Sequence, residues 1–205
     1  MEKSPRTPQM KSERTVQIFM AHQWQFLFHL IIFGLMATGG LLLLASPAKA
    51  QNIVPHTVTY STFQKDSLFS ISIPDYFVET NDLDAEAVLQ FKNVFIECYL
   101  MIIANPKSKT PQLYLSMMER QFKSELLQRG GSVIQETQKK VGGFESFQKE
   151  VEWQVNGEPL VFLVAFIDTP DVVFKIYGWT LAQHRQSLVH FRHTVDSFRL
   201  TNPRS

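Results

Sequence analysis

From Leu68 onward the chain is patterned with a period of two. Phe69, Ile71 and Ile73 are separated by Ser70 and Ser72, as in a strand with one face buried and the other wet. Pro74 closes that strand and Asp75-Tyr76-Phe77 turns the chain. Leu89 and Phe91 then alternate with Gln90 and Lys92, and residues 96–103 form a more continuous apolar run. These read as the two strands of a hairpin, the second stopped at Asn105-Pro106, because proline has no N–H to give the ladder. Further on, Phe147, Val151, Trp153 and Val155 alternate with Gln148, Glu150, Glu152 and Gln154, and Asn156-Gly157 is a strong hairpin signal. Its partner, residues 160–167, is apolar on both faces, the pattern of a central strand covered from two sides. Residues 172–179 make the last strand.

Two stretches follow the helical period instead. Thr110 as N-cap and Pro111 in the first turn open one; Leu115, Met118, Phe122 and Leu126 line its apolar stripe, and Arg129 with Gly130-Gly131 closes it. Residues 133–141 are polar enough for an edge strand, and Gly142-Gly143 reverses the chain. Leu181, Leu188, Phe191, Val195 and Phe198 recur at helical steps and predict a C-terminal amphipathic helix. The fold class is α+β: an antiparallel sheet covered by helices on both faces, an α/β/α sandwich in which one connection travels across the sheet. The domain is expected over residues 68–200, with 51–67 a leader segment and 201–205 a tail.

The first fifty residues concern compartment. Lys3, Arg6, Lys11 and Arg14 precede an apolar run from Phe26 to Ala45, and Ser46-Pro47-Ala48-Lys49-Ala50 supplies an Ala-x-Ala site. That is the form of a secretory signal. An uncleaved anchor is the alternative, since about 20 apolar residues also span a bilayer; either way the basic flank stays in the cytoplasm and the rest is exported. Beyond residue 50 there remain 15 basic and 17 acidic residues, a balance with no clustered positive charge for phosphates, so no nucleic-acid partner is expected. Membrane contact is expected only through an uncleaved N-terminal segment. Cys98, the single cysteine, forms no internal disulfide; it alternates in register with Ile96, Leu100 and Ile102 and is expected to be buried.

Candidate chemistry is thin. Gly-x-Ser-x-Gly, His-Glu-x-x-His, Cys-x-x-Cys and Gly-x-Gly-x-x-Gly are all absent. Asp82, Asp84 and Glu86 imitate the first half of a calcium loop, but the turn glycine and the bidentate glutamate are missing, so turn-capping roles are expected. His184, His190 and His193 lack a third ligand on their helix face and are expected to be solvated rather than zinc-binding. No catalytic residue, cofactor or metal is assigned. Trp179, at a strand end beside Gly178, and Tyr177 are the candidate partner-binding residues, with ordinary core as the other reading.

The succession "FSISIPDYF", a hairpin, a proline-opened helix, a Gly-Gly turn into a long hairpin, and a last helix ending "VDSFRL" resembles the PsbP/DcrB-like superfamily, over roughly residues 68–200. The stretch "DLDAEAVLQFKN" is similar to one in uncharacterised secreted bacterial proteins. The resemblance implies a non-catalytic exported domain, since the superfamily includes a photosystem subunit, an envelope protein needed for phage entry and a nuclear-transport accessory. Function is therefore expected to be that of an exported accessory or binding module with an unknown protein or envelope partner. The alternative is a hydrolase or small-ligand-binding protein whose site assembles only in three dimensions.

Overall fold

The computed structural model describes residues 58–66, 68–107 and 114–201. The signal or anchor segment, the Thr110-Pro111 helix start and residues 202–205 lie outside the described residues. Strands β1 (Tyr60–Lys65), β2 (Phe69–Pro74), β3 (Val78–Glu79), β4 (Ala87–Asn93) and β5 (Cys98–Pro106) lead into helix α1 (Tyr114–Gln128). Strands β6 (Ser132–Val141), β7 (Phe144–Val155), β8 (Glu158–Asp168) and β9 (Val172–Leu181) follow, then a 3₁₀ segment (Ala182–Ser187), helix α2 (Leu188–Asp196) and β10 (Arg199–Leu200). A seven-stranded antiparallel sheet runs β3-β4-β5-β9-β8-β7-β6, and a three-stranded one runs β1-β2-β10. The expected crossing connection is α1. It carries the chain from β5, inside the sheet, to β6 at the far edge, and successive hairpins bring β9 back against β5.

Local chemistry sets the ends of these elements. After α1, Gly130 takes φ 74°; its N–H meets the Leu127 carbonyl at 3.1 Å while the Gly131 N–H meets that of Leu126 at 2.9 Å. This paired Schellman closure satisfies two carbonyls the helix would otherwise leave bare. Asn156 and Gly157, both at positive φ, form the two-residue turn that sets the β7–β8 register from Val155–Glu158 to Glu145–Asp168.

The core is built on β8 and β9. Every residue of β8 from Leu160 to Ile167 is buried, as expected for a central strand. On one face Phe122 of α1 meets Phe166, with ring centroids 6.2 Å apart. On the other, Phe191 of α2 lies against Gly178, where an added methyl carbon would sit 2.6 Å from the ring. Phe69 of β2 and Phe198 pack on Phe174 from that same side, at 5.2 and 4.9 Å. Each such buried side chain contributes about 1.5–3 kcal/mol. Cys98 is fully buried; desolvation pushes its thiol above the usual range.

Helix α2 is clasped from two sides. Toward β7, Arg192 Nε donates to Glu150 Oε1 at 2.5 Å, Gln148 Nε2 to Asp196 Oδ1 at 3.4 Å, and Arg185 in the preceding 3₁₀ segment to Glu152 at 2.6 Å. Toward the small sheet, the Tyr60 hydroxyl and His190 Nδ1 share a 2.8 Å hydrogen bond, His193 lies 4.0 Å from the Tyr60 ring, and Ser72 N–H donates to Ser197 Oγ at 2.8 Å.

Several expectations are corrected. Residues 51–67 are not all leader: Tyr60–Lys65 is β1, paired with β2 along its whole length. Its apolar Tyr60 and Phe63 are three apart, so no alternation shows in sequence. The C-terminal helix is shorter than its stripe. His184 departs from helical geometry at φ −106°, ψ 24°, Leu181 belongs to β9, and after Asp196 the chain straightens so that Arg199–Leu200 pairs with β2. His190 is not solvated but partly buried against Tyr60. On β7, Gln148, Lys149 and Glu150 are buried alongside the apolar positions, with Glu119 of α1 beside Lys149 and Arg192 of α2 beside Glu150.

Two outcomes follow from this packing. Gly178→Ala forces the Phe191 ring to shift and is expected to cost about 1–3 kcal/mol in denaturant unfolding; an unchanged midpoint would show that the ring yields freely. Burial, and then the neighbouring His193, lower the His190 pKa from 6.5, so below that pH the unfolded chain binds more protons than the folded one. Stability is therefore expected to fall as pH drops through 6.5, and His190→Phe to flatten the fall in thermal melts across pH.

Candidate functional site

Strand β9 reads Val-Val-Phe-Lys-Ile-Tyr-Gly-Trp-Thr-Leu. Alternation sends Lys175, Tyr177 and Trp179 to the α1 side and Phe174, Ile176 and Gly178 to the α2 side. The two candidates, Trp179 and Tyr177, thus share a face, and the structure buries both, at 7% and 3% exposed. Trp179 stacks on Tyr99 of β5 at 5.3 Å and on Phe162 of β8 at 6.3 Å. Trp153 of β7 continues the row 6.1 Å from Phe162, and the Arg129 guanidinium lies 5.8 Å over the Trp153 ring. The result is an aromatic row across four strands, capped by a cation on a π-face.

The exposed aromatic at this end of the sheet is Phe95. It sits at the β4–β5 turn, 91% exposed, beside exposed Val94. Asn93 holds the turn: its Oδ1 accepts from the N–H groups of Phe95 at 3.0 Å and Ile96 at 3.3 Å, and its Nδ2 donates to the Tyr76 carbonyl at 2.7 Å. This side-chain-to-backbone turn drives Ile96 inward and Phe95 outward. Thr180 Oγ1 donates to the Ile96 carbonyl at 3.4 Å, tying the turn to the β9 end that carries Trp179.

Lys175 is the functional candidate that the sequence reading missed. Its neighbours are Phe166 and Ile103 in register, and no ion pair or hydrogen bond reaches its ammonium among the described residues. Desolvation pulls its pKa down to about 8 against the opposing pull of Glu86, Glu125 and Asp84. Glu125, on α1, is raised by desolvation, and its Oε2 has no partner among the described residues. Asn105 Oδ1 is likewise unpartnered, two residues beyond Ile103 on the same face of β5. Tyr177 is raised above the usual phenol range by burial. A lysine amid Val, Phe, Ile and Tyr was the signal available in the sequence.

The acidic triplet has turn roles. Asp82 pairs with Lys92 and accepts from Thr80 Oγ1, contacts that lower its pKa. Asp84 Oδ1 accepts from the Glu86 N–H at 2.8 Å, and Gln90 Oε1 accepts from Leu83 and Asp84 N–H at 2.8 and 3.0 Å. Among the described residues no cluster of three or more His, Cys, Asp or Glu is arranged to hold a metal.

Because the fold resists protonating Lys175, the unfolded chain binds the extra proton between about 8 and 10.5. Stability is expected to rise with pH across that window. Lys175→Met should abolish the rise and stabilise the protein near neutrality by about 1–4 kcal/mol; a variant less stable than the parent at pH 7 would mean that the ammonium is favourably paired.

No family model matches the chain. No curated protein matches it either. Solved structures do. Cyanobacterial PsbP (CyanoP) from Synechocystis sp. PCC 6803 is 11% identical, covering 76% of this chain and 99% of its own at a TM-score of 0.55. LpqN of Mycobacterium tuberculosis, involved in cell envelope biogenesis, is 12% identical, covering 72% and 93% at a TM-score of 0.51. Both are matched over nearly their full length, so the chain has the PsbP-like fold that the sequence resemblance implied.

Proposed function

We propose that this protein is an exported, non-enzymatic accessory module that binds a protein partner through the β4–β5 tip. The observation that carries the reading is Phe95, an almost fully exposed aromatic on a turn preorganised by Asn93. Ordering costs are already met in such a turn, which favours it as an anchor. The stack of buried Trp179 on half-buried Tyr99 behind the tip gives it a rigid base. Export is supported by the basic leader, the apolar run and Ala48-Lys49-Ala50, and an envelope role agrees with the fold likeness to LpqN. The contacts of α1 with Phe166 and of α2 with Gly178, on opposite faces, support reading the architecture as an α/β/α sandwich.

One observation favours a second reading, a small-ligand-binding protein: Glu125 Oε2 and Asn105 Oδ1 are buried without partners among the described residues, and burial lowers the pKa of Lys175. Site-specific photocrosslinking separates the two. A photoreactive residue at Phe95, in the protein at its native location, is expected to give one discrete adduct that the same residue at Leu127 on α1 does not give. Equal labelling from both positions, or none from Phe95, would sink the partner-binding tip.

A further inference from the structure

The seven-stranded sheet ends at two unlike edges. One is β3, two residues long; the other is β6, ten residues long. Among the described residues nothing pairs with the outer side of β6. Such a side carries a row of unused N–H and C=O groups ready for another strand.

The side chains on β6 decide what fits there. From the register with β7, Glu136 is opposite Lys149, Gln138 opposite Phe147 and Lys140 opposite Glu145, so these three project from one face in the order acid, amide, base. Natural edges are commonly guarded by lysines, which repel a second copy by like charge. Here Lys139 is held by Asp196 at 2.6 Å, while Lys140 is 69% exposed with its nearest carboxylate, Glu145, at 3.5 Å. Glu136, half exposed, shares the single buried Lys149 ammonium with Glu119, so these three groups together keep one negative charge, four residues away from Lys140. A strand with that spacing is complementary to its own antiparallel copy.

We propose that β6 is a self-association edge, at which a second copy of this chain adds its β6 antiparallel about a two-fold axis at Gln138. Gln138 then faces the partner subunit's Gln138, and Glu136 faces the partner subunit's Lys140 on each side of the axis. Cross-strand opposite charges at such positions are favourable and like charges are not. The two-fold keeps the α1 side of both sheets on one side, as an isologous interface requires. The irregularity between Val133 and Gln135 limits the pairing to residues 135–141.

Directly opposed residues of an antiparallel pair have Cα atoms about 4.5–5.5 Å apart, within disulfide reach. Gln138→Cys in the full chain is therefore expected to form an intermolecular disulfide on mild oxidation, and Glu136→Cys, which faces a lysine, to form at least about tenfold less. Buried Cys98 gives the background, read in the unsubstituted protein. In sedimentation velocity without oxidant, the unsubstituted protein is expected to dimerise, and Lys140→Glu, placing like charges at both ends, to weaken the dimer at least about tenfold. Equal crosslinking at 136 and 138 would overturn the register. A parent that stays monomeric at its solubility limit, or a dimer that Lys140→Glu leaves intact, would overturn the edge.

Discussion

The whole arrangement depends on a central pair of strands that must be dry on both sides. Residues 160–167 of β8 and 173–180 of β9 are all buried, and neither strand has a face that can be left in water. An antiparallel meander by itself would leave one face open. Here the chain interrupts the meander with α1, which crosses from β5 to the far edge and lays Phe122 on Phe166. On the strands' other side Phe191 of α2 lies against Gly178 and Phe69 of β2 against Phe174. The glycine is part of this constraint. Where an aromatic ring sits on a strand at van der Waals range, there is no volume for even a methyl group.

Burial of these strands also explains where the charges go. Lys149, on the α1 side of β7, is fully buried, with its ammonium 3.0 Å from Glu119 and 2.8 Å from Glu136. Those distances make ion pairs although neither is aligned as a hydrogen bond. Glu150, on the α2 side, is met by Arg192. A buried charge is tolerable only with such partners. Lys175 has no such direct partner among the described residues. It departs from the rule that the rest of the sheet obeys, and departures of this kind concentrate where a protein does something other than hold itself together.

The aromatic end of the sheet shows how a candidate moves when side chains acquire neighbours. Trp179 drew attention as an aromatic at a strand end, where cover is thin. In the structure Tyr99 and Phe162 flank it, and the outward aromatic is Phe95, at a turn three residues before β5 begins. The apolar run that reads as the second strand of the hairpin starts at Ile96, whereas β5 begins at Cys98, and Ile96 and Glu97 belong to the turn. What reveals it is Asn93, whose carboxamide replaces the backbone partners of two successive N–H groups.

What the sequence by itself determined is everything that a local period or a turn residue can encode. The alternation of Phe69, Ile71 and Ile73, the stripe Met118, Phe122 and Leu126, the Asn156-Gly157 turn, the glycine end of α1 and the two-sided apolarity of β8 all act over a few residues. The structure contains each of them. The superfamily resemblance rested on their order along the chain. Tertiary structure alone decided what depends on distant partners. β1 is a strand because six residues of β2 accept it, and Arg199–Leu200 is one because β2 offers its other edge. Likewise His190 is partly dry because Tyr60, 130 positions earlier, meets it, and Phe95 is outward because Ile96 is held inward. Backbone pairing and desolvation are properties of two surfaces brought together, and a linear pattern carries only one of the two.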